Sequence, residues 1–134
     1  MLDYLVYRSQ ATHPFSCRHL FLLLSRLEPA NRRLGVTGRL CYHDHSFFGY
    51  VEGPAEALDG IWSRVLVDPR HRDIELLRRA HVERRRFSGW SMAFQGDSLL
   101  SRLGLPGYCS SVREELGALL ASCGLAAGVA AVAA

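Results

Sequence analysis

Residues 35 to 54 limit the fold most tightly. Two strand-like runs, Gly35–Tyr42 and Ser46–Glu52, flank His43-Asp44-His45, and Gly53-Pro54 closes the second. That spacing predicts a hairpin with a short loop. Gly53-Pro54 then stops the strand and presets the first turn of a helix. The helix runs over Ala55–Leu66, with apolar residues at 58, 61, 62, 65 and 66.

The flanking segments complete the pattern. Leu2–Ser9 is short, apolar and aromatic, and predicts a strand with alternate residues on opposite faces. Phe15–Leu27 has apolar residues at 20, 21, 23, 24 and 27, a helical stripe, with Ser16 as N-cap. Pro29 is expected to end that helix, because it has no N–H and clashes with the previous turn. Asp73–Glu83 and Trp90–Phe94 predict two further strands.

The order is β-α-β-β-α-β with an added fifth strand. It predicts an α+β fold with a ferredoxin-like sheet and both helices on one face. Ser98–Leu105 and Val112–Cys123 are further helical stretches, divided by Pro106-Gly107. They are expected to be C-terminal helices covering the open sheet face, since an apolar face needs a partner layer. The expected division is a domain over 1–96 and a helical extension over 97–134 packing on it.

Composition supports one folded unit. In 134 residues, 49% are hydrophobic, enough for a core without metals or staples. The net charge of +3 comes mostly from arginine, densest at Arg84-Arg85-Arg86. Such a run is read as a solvated strand end, and nucleic acid is not the expected partner. Cysteines 17, 41, 109 and 123 form no C-x-x-C pair, so neither a redox nor a zinc framework is visible. No secretory leader is read at Met1–Ser9, and the apolar tail Leu125–Ala134 is far short of the ~20 residues of a membrane helix. Reduced thiols and a cytoplasmic location are the expectation.

One dispersed pattern carries more. It runs Leu5-Val6-Tyr7-Arg8-Ser9, then Asn31 with Val36-Thr37-Gly38, then Phe47-Phe48-Gly49-Tyr50-Val51-Glu52-Gly53-Pro54. It continues through Asp68-Pro69-Arg70-His71 to Arg86-Phe87-Ser88-Gly89-Trp90-Ser91-Met92. Over its first 94 residues the chain resembles the BLUF family, flavin-binding domains that sense blue light. The family fold is the split βαβ sheet reached above on separate grounds. The resemblance implies FAD, with its ring between the two helices.

Residue by residue, the resemblance gives Tyr7 the role of the phenol that donates an electron and a proton to excited flavin. Asn31 takes that of the amide bonding the flavin's polar edge, since an amide offers donor and acceptor at once. Ala30 stands where the family often has a second polar residue. Asp68, Arg70 and His71 would lie beside the flavin, and Leu24 and Phe47 would supply apolar contact. Trp90 and Met92 match the mobile pair that passes the signal outward. Gly49 departs from the pattern, because the family places its switch glutamine there. Read on its own, each of these residues also has a plain structural role as a packed strand tyrosine, a helix-end amide, a salt bridge or core filling.

One rival constellation is His43, His45 and His71, three imidazoles that could hold zinc. Their loop positions favour exposed turn residues, and no metal is expected. The chain is expected to be a sensor and not an enzyme. It would stand alone without a fused output domain, and act through a downstream protein or a homo-oligomer. Its photoswitching would be absent or altered for want of the glutamine. The alternative is a flavin-free interaction module on the same scaffold.

Overall fold

The computed structural model describes residues 2–94 and 118–125. Leu2–Ala11 forms β1, which lies inside the sheet and is apolar on both faces because both are covered. Leu5 and Tyr7 join one core, and Tyr4 and Val6 join the other. This is the period-two alternation of a strand between two apolar layers.

Helix α1 spans Cys17–Arg33. Ser16 caps it by accepting the His19 amide at 3.2 Å, which satisfies one orphan donor of the first turn. Pro29 does not end the helix as expected, but lies inside it. An interior proline forfeits one backbone bond and costs about 3 kcal/mol. Apolar burial of Leu20, Leu23 and Leu24 on the same helix offsets that loss. The helix stops at Leu34, where the Asn31 carbonyl accepts the amides of Leu34 and Val36.

Strands β2 (Thr37–His43) and β3 (Ser46–Pro54) form the expected hairpin. Its turn is the two residues Asp44 and His45, both with positive φ, 47° and 62°. Such a turn matches the right-handed strand twist. Helix α2 follows at once, over Ala55–Val67, and β4 spans His71–Val82. Arg79 on β4 ties back to the start of α2 by donating to the Asp59 carboxylate and the Ala55 carbonyl. The backbone of β5 spans Trp90–Phe94.

The sheet order is β4-β1-β3-β2-β5. β1 pairs antiparallel with β3 and β4, and so does β2 with β3, while β5 runs parallel to β2. The first four strands therefore have the ferredoxin-like arrangement.

One core gathers Leu20, Leu23 and Leu24 of α1, Leu58 and Ile61 of α2, and Leu5, Tyr7, Leu40, Phe47 and Val51 of the sheet. Both helices thus pack on the same sheet face. A second core holds Val6, Cys41, Phe48 and Tyr50 from other strand positions, joined by Leu119, Leu120 and Cys123. Residues 118–122 are helical, so this segment caps the second face. The expected helix over 98–105 and most of that over 112–123 lie outside the described residues. Cys41 and Cys123 are buried thiols. Among the described residues, no helix is long and apolar enough to cross a membrane.

Candidate functional site

Between α1 and α2, above the centre of the sheet, two adjoining clefts open to solvent. One is lined by Leu23, Leu27, Leu40, Phe47 and His71 among others. The second is lined by Leu27, Asn31, Val51, Ile61 and Arg64. Tyr7, Val65, Asp68 and Arg70 line both. Mostly apolar walls with a few convergent polar groups are the form of a small-molecule site.

Tyr7 sits at the shared floor, on the face of β1 that carries both helices. Its ring centroid is 5.7 Å from that of Trp62 on α2 and 6.3 Å from that of His71. Burial pushes its phenol well above the ordinary range, and the Asp68 charge adds to this while Arg70 opposes it. Tyr7 therefore remains a neutral phenol.

Gly49 lies opposite Tyr7 in the β1–β3 register. A Cβ at position 49 would stand 2.3 Å from Tyr7 Cε1 and 2.8 Å from its hydroxyl oxygen. Glycine thus permits a close approach that any side chain would block. The same cross-strand row continues through Leu40 to Met92, whose backbone pairs with Leu40. Trp90 pairs with Gly38 in the neighbouring row. The side chains of Trp90 and Met92 lie outside the described part of the structure.

Asn31 is 5% exposed, although its side chain is polar. The helix that carries it past Pro29 puts this amide on the cleft wall. Asp68 and Arg70 face each other at the mouth. Arg70 Nη2 lies 2.5 Å from Asp68 Oδ2, and its Nε donates to both carboxylate oxygens at 3.0 and 3.1 Å. The Arg70 hydrogen bond holds the Asp68 carboxyl below its usual range and raises Arg70 in turn. Asp68 also accepts the Arg70 backbone amide at 3.0 Å, so the turn itself presents the pair.

His71 uses both ring nitrogens. Nε2 lies 2.7 Å from the Val65 carbonyl, which can only accept, so Nε2 carries the proton. In the neutral ring, Nδ1 then accepts from the Ser9 hydroxyl at 2.7 Å. His71 is thus a strut joining β1, α2 and β4 as well as a cleft wall.

Of the residues singled out in the sequence, Tyr7, Asn31, Phe47, Asp68, Arg70 and His71 converge on the clefts. Leu24 is buried in the core, and its neighbours Leu23 and Leu27 line the first cleft instead. Sequence reasoning missed Val51, Ile61, Arg64 and Val65. Their signal was the i, i+4 apolar pair 61 and 65 on the helix facing α1. It also missed Glu52, which is fully buried and accepts the backbone amides of Arg86 at 2.7 and 2.9 Å and of Phe87 at 3.1 Å.

The arginine run is largely engaged within the fold. Arg85 donates to Thr37 and the Gly35 carbonyl, while Arg86 lies over the rings of Tyr4 and Tyr50 and reaches Ser122. Among the described residues, no three or more His, Cys, Asp or Glu side chains gather as a metal site.

Comparison with known proteins converges on one family. The family described as BLUF, sensors of blue light using FAD, matches residues 2–93. The chain is 34% identical over 90 residues to photoactivated adenylate cyclase subunit beta of Euglena gracilis, covering 66% of this chain and 10% of that protein. It is 32% identical over 87 residues to the blue light- and temperature-regulated antirepressor BluF of Escherichia coli K12, covering 65% of this chain and 22% of that one. Among solved structures it is similar to the BLUF domain of BlrP1, with a TM-score of 0.63 and 39% identity over 72% of this chain and 65% of that one. The chain thus spans about a tenth of the length of the Euglena relatives it matches.

Proposed function

The chain belongs to the BLUF family of blue-light sensors using FAD, and we propose that it binds FAD with the ring in the cleft between α1 and α2. In this reading it is a photoreceptor whose switching is altered because Gly49 stands where the resemblance places a glutamine. It signals through a partner protein or a homo-oligomer, and is a sensor and not itself an enzyme. Cyclase activity is what the Euglena relatives are named for, and it is not carried over.

The observation that carries the reading is the buried Asn31 amide, set beside Leu27, Val51, Ile61 and Val65 on the wall of a cleft that Tyr7 also lines. A buried amide costs free energy unless its hydrogen-bonding groups find partners. A tricyclic ring with carbonyl and N–H groups along one edge would supply both kinds. Leu27, Val51, Ile61 and Val65 offer apolar surface to the ring faces and exclude water. Arg70, held in place by Asp68, sets a cation at the mouth, where it can meet a ring carbonyl or a phosphate.

When bound, a flavin supplies blue-light absorption and an excited state able to take an electron from a nearby phenol. Tyr7 is that phenol. It is neutral and buried at the cleft floor.

The test is reconstitution with excess FAD, followed by visible spectra in the dark and under blue light. A yellow protein that keeps its flavin through gel filtration is expected. A colourless protein would overturn the cofactor assignment and leave the flavin-free interaction module.

A further inference from the structure

We propose that Trp62 is an electron relay between Tyr7 and the protein surface, so that illumination can draw electrons from small reductants in solution. The proposal rests on the photoreceptor reading and adds a path to it. Tyr7 lines the cleft, and its ring lies beside that of Trp62. The two rings lie 5.7 Å apart at a tilt of 54°, within the range of a direct aromatic contact. Trp62 is partly buried against the core while part of it reaches solvent. The indole therefore bridges a buried oxidisable phenol and the outside.

Two features of the site favour this outlet. Gly49 offers no side chain to exchange hydrogen bonds with Tyr7, and the Tyr7 ring lies against its backbone. A Tyr7 radical thus lacks a neighbouring amide to hold it. Burial also disfavours the phenolate, so a Tyr7 that regains an electron takes up a proton at once.

The steps balance as follows. With FAD bound, Tyr7 would give one electron and its phenolic proton to the light-excited ring. Trp62 would then pass one electron to the Tyr7 radical, which regains a proton from solvent and is restored. The oxidised indole releases its N–H proton to solvent. A small thiol then gives the Trp62 radical one electron and one proton, and two thiyl radicals couple to a disulfide. The net change is one hydrogen atom moved from thiol to flavin per photon used.

The test uses the full chain reconstituted with FAD. It is illuminated in air without thiol, and oxidised side chains are then mapped by peptide mass spectrometry. Oxidation centred on Trp62 is expected, and it should fall several-fold in Tyr7→Phe, which retains the ring but not the oxidisable hydroxyl. Singlet oxygen made by the flavin would attack Trp62 at least as much in Tyr7→Phe, whose flavin is quenched less, so equal or greater oxidation there overturns the relay. Oxidation centred on Trp90 instead of Trp62 overturns it too. With a thiol present and air excluded, Trp62→Phe should slow bleaching of the flavin's blue absorption several-fold at unchanged FAD retention, and an unchanged bleaching rate contradicts the relay. Failure to retain FAD at all would overturn the photoreceptor reading and the relay with it, whereas retention without Trp62 oxidation removes the relay alone.

Discussion

The ring of Tyr7 occupies the space that any side chain at position 49 would need. A Cβ there would lie 2.3 Å from Cε1 and 2.5 Å from Cζ of Tyr7, inside van der Waals contact. The two residues face each other across β1 and β3, so glycine at 49 and the placement of tyrosine at 7 depend on one another. Gly49→Ala should therefore destabilise the fold by about 1–3 kcal/mol, the usual cost of overpacking. In a Tyr7→Leu background the clash is gone, and the same change should be neutral or gain roughly 0.5–1 kcal/mol from the better strand residue. Urea denaturation of the four proteins gives the coupling energy. Equal costs in both backgrounds would show that Tyr7 yields freely.

Glu52 links β3 to the segment that leads into β5. Its carboxylate accepts the Arg86 and Phe87 amides, so Glu52→Ala leaves two partly buried donors without that partner. A loss of about 2 kcal/mol is expected, near the lower end of the about 1–3 kcal/mol for each orphaned group because both stay partly open to water. Burial raises the Glu52 carboxyl, although the two amides pull it down. The folded protein thus holds this proton more tightly than the unfolded chain does. The associated stability is fully present below the ordinary carboxylate range and is lost as pH rises through the raised value. Relative to Glu52→Gln, the natural protein should lose ground as pH rises above the ordinary carboxylate range, about pH 4. Thermal melts from that range upward would show parallel curves if Glu52 did not titrate there.

Asp68 behaves in the opposite sense. Its hydrogen bond from Arg70 lowers the carboxyl, so the pair's contribution is present above the ordinary carboxylate range. It is lost as pH falls through the lowered folded value. FAD retention should accordingly persist at mildly acidic pH and decline only below about pH 4. Asp68→Asn should remove that acid-dependent step and leave Arg70 less fixed. Flavin release followed by fluorescence against pH would detect it, and an identical acid profile in both proteins would exclude the pair as its source.

Asn31→Ala tests the cleft more directly. Loss of the amide removes one or two hydrogen bonds of about 0.5–1.5 kcal/mol each. FAD affinity should drop by about tenfold, since 1.4 kcal/mol is a factor of ten. The flavin-free protein should change little in stability by the same denaturation assay, because the residue faces the cleft. Calorimetric titration with FAD decides the matter, and an unchanged affinity would place the flavin's polar edge elsewhere.

The strands and both helices were legible because their apolar residues follow two clear periods, and the short Asp44-His45 turn fixed the hairpin. Pro29 misled because its cost is local, whereas the burial of Leu20, Leu23 and Leu24 that outweighs it is tertiary. The cleft residues on α1 and at the end of α2 could be named through the resemblance alone, since Asn31, Asp68 and Arg70 look like ordinary helix-end residues. The fit between Tyr7 and Gly49 was hidden, because it exists only through the register of β1 on β3. Glu52 was hidden for a related reason: its partners are backbone amides, which leave no mark in side-chain patterns.

The photochemistry follows from the same pair. In the pattern this chain resembles, a glutamine amide beside the flavin and tyrosine stores the light signal by exchanging donor for acceptor. Here the backbone of Gly49 meets the ring of Tyr7, and no amide can turn in that space. On the proposed reading Tyr7 can still be oxidised, but position 49 has no side chain to rearrange beside it. Blue light should give quenching or slow flavin photoreduction and no long-lived red-shifted state. Gly49→Gln should not restore that state by itself, because the new side chain must first displace a buried ring whose neighbours, Trp62 and His71, hold it on the other sides. Difference spectra after a blue pulse, in the natural protein and in Gly49→Gln, settle both halves. A reversible red shift in the natural protein would mean that another group performs the exchange, and one in Gly49→Gln alone would mean that Tyr7 swings aside at little cost.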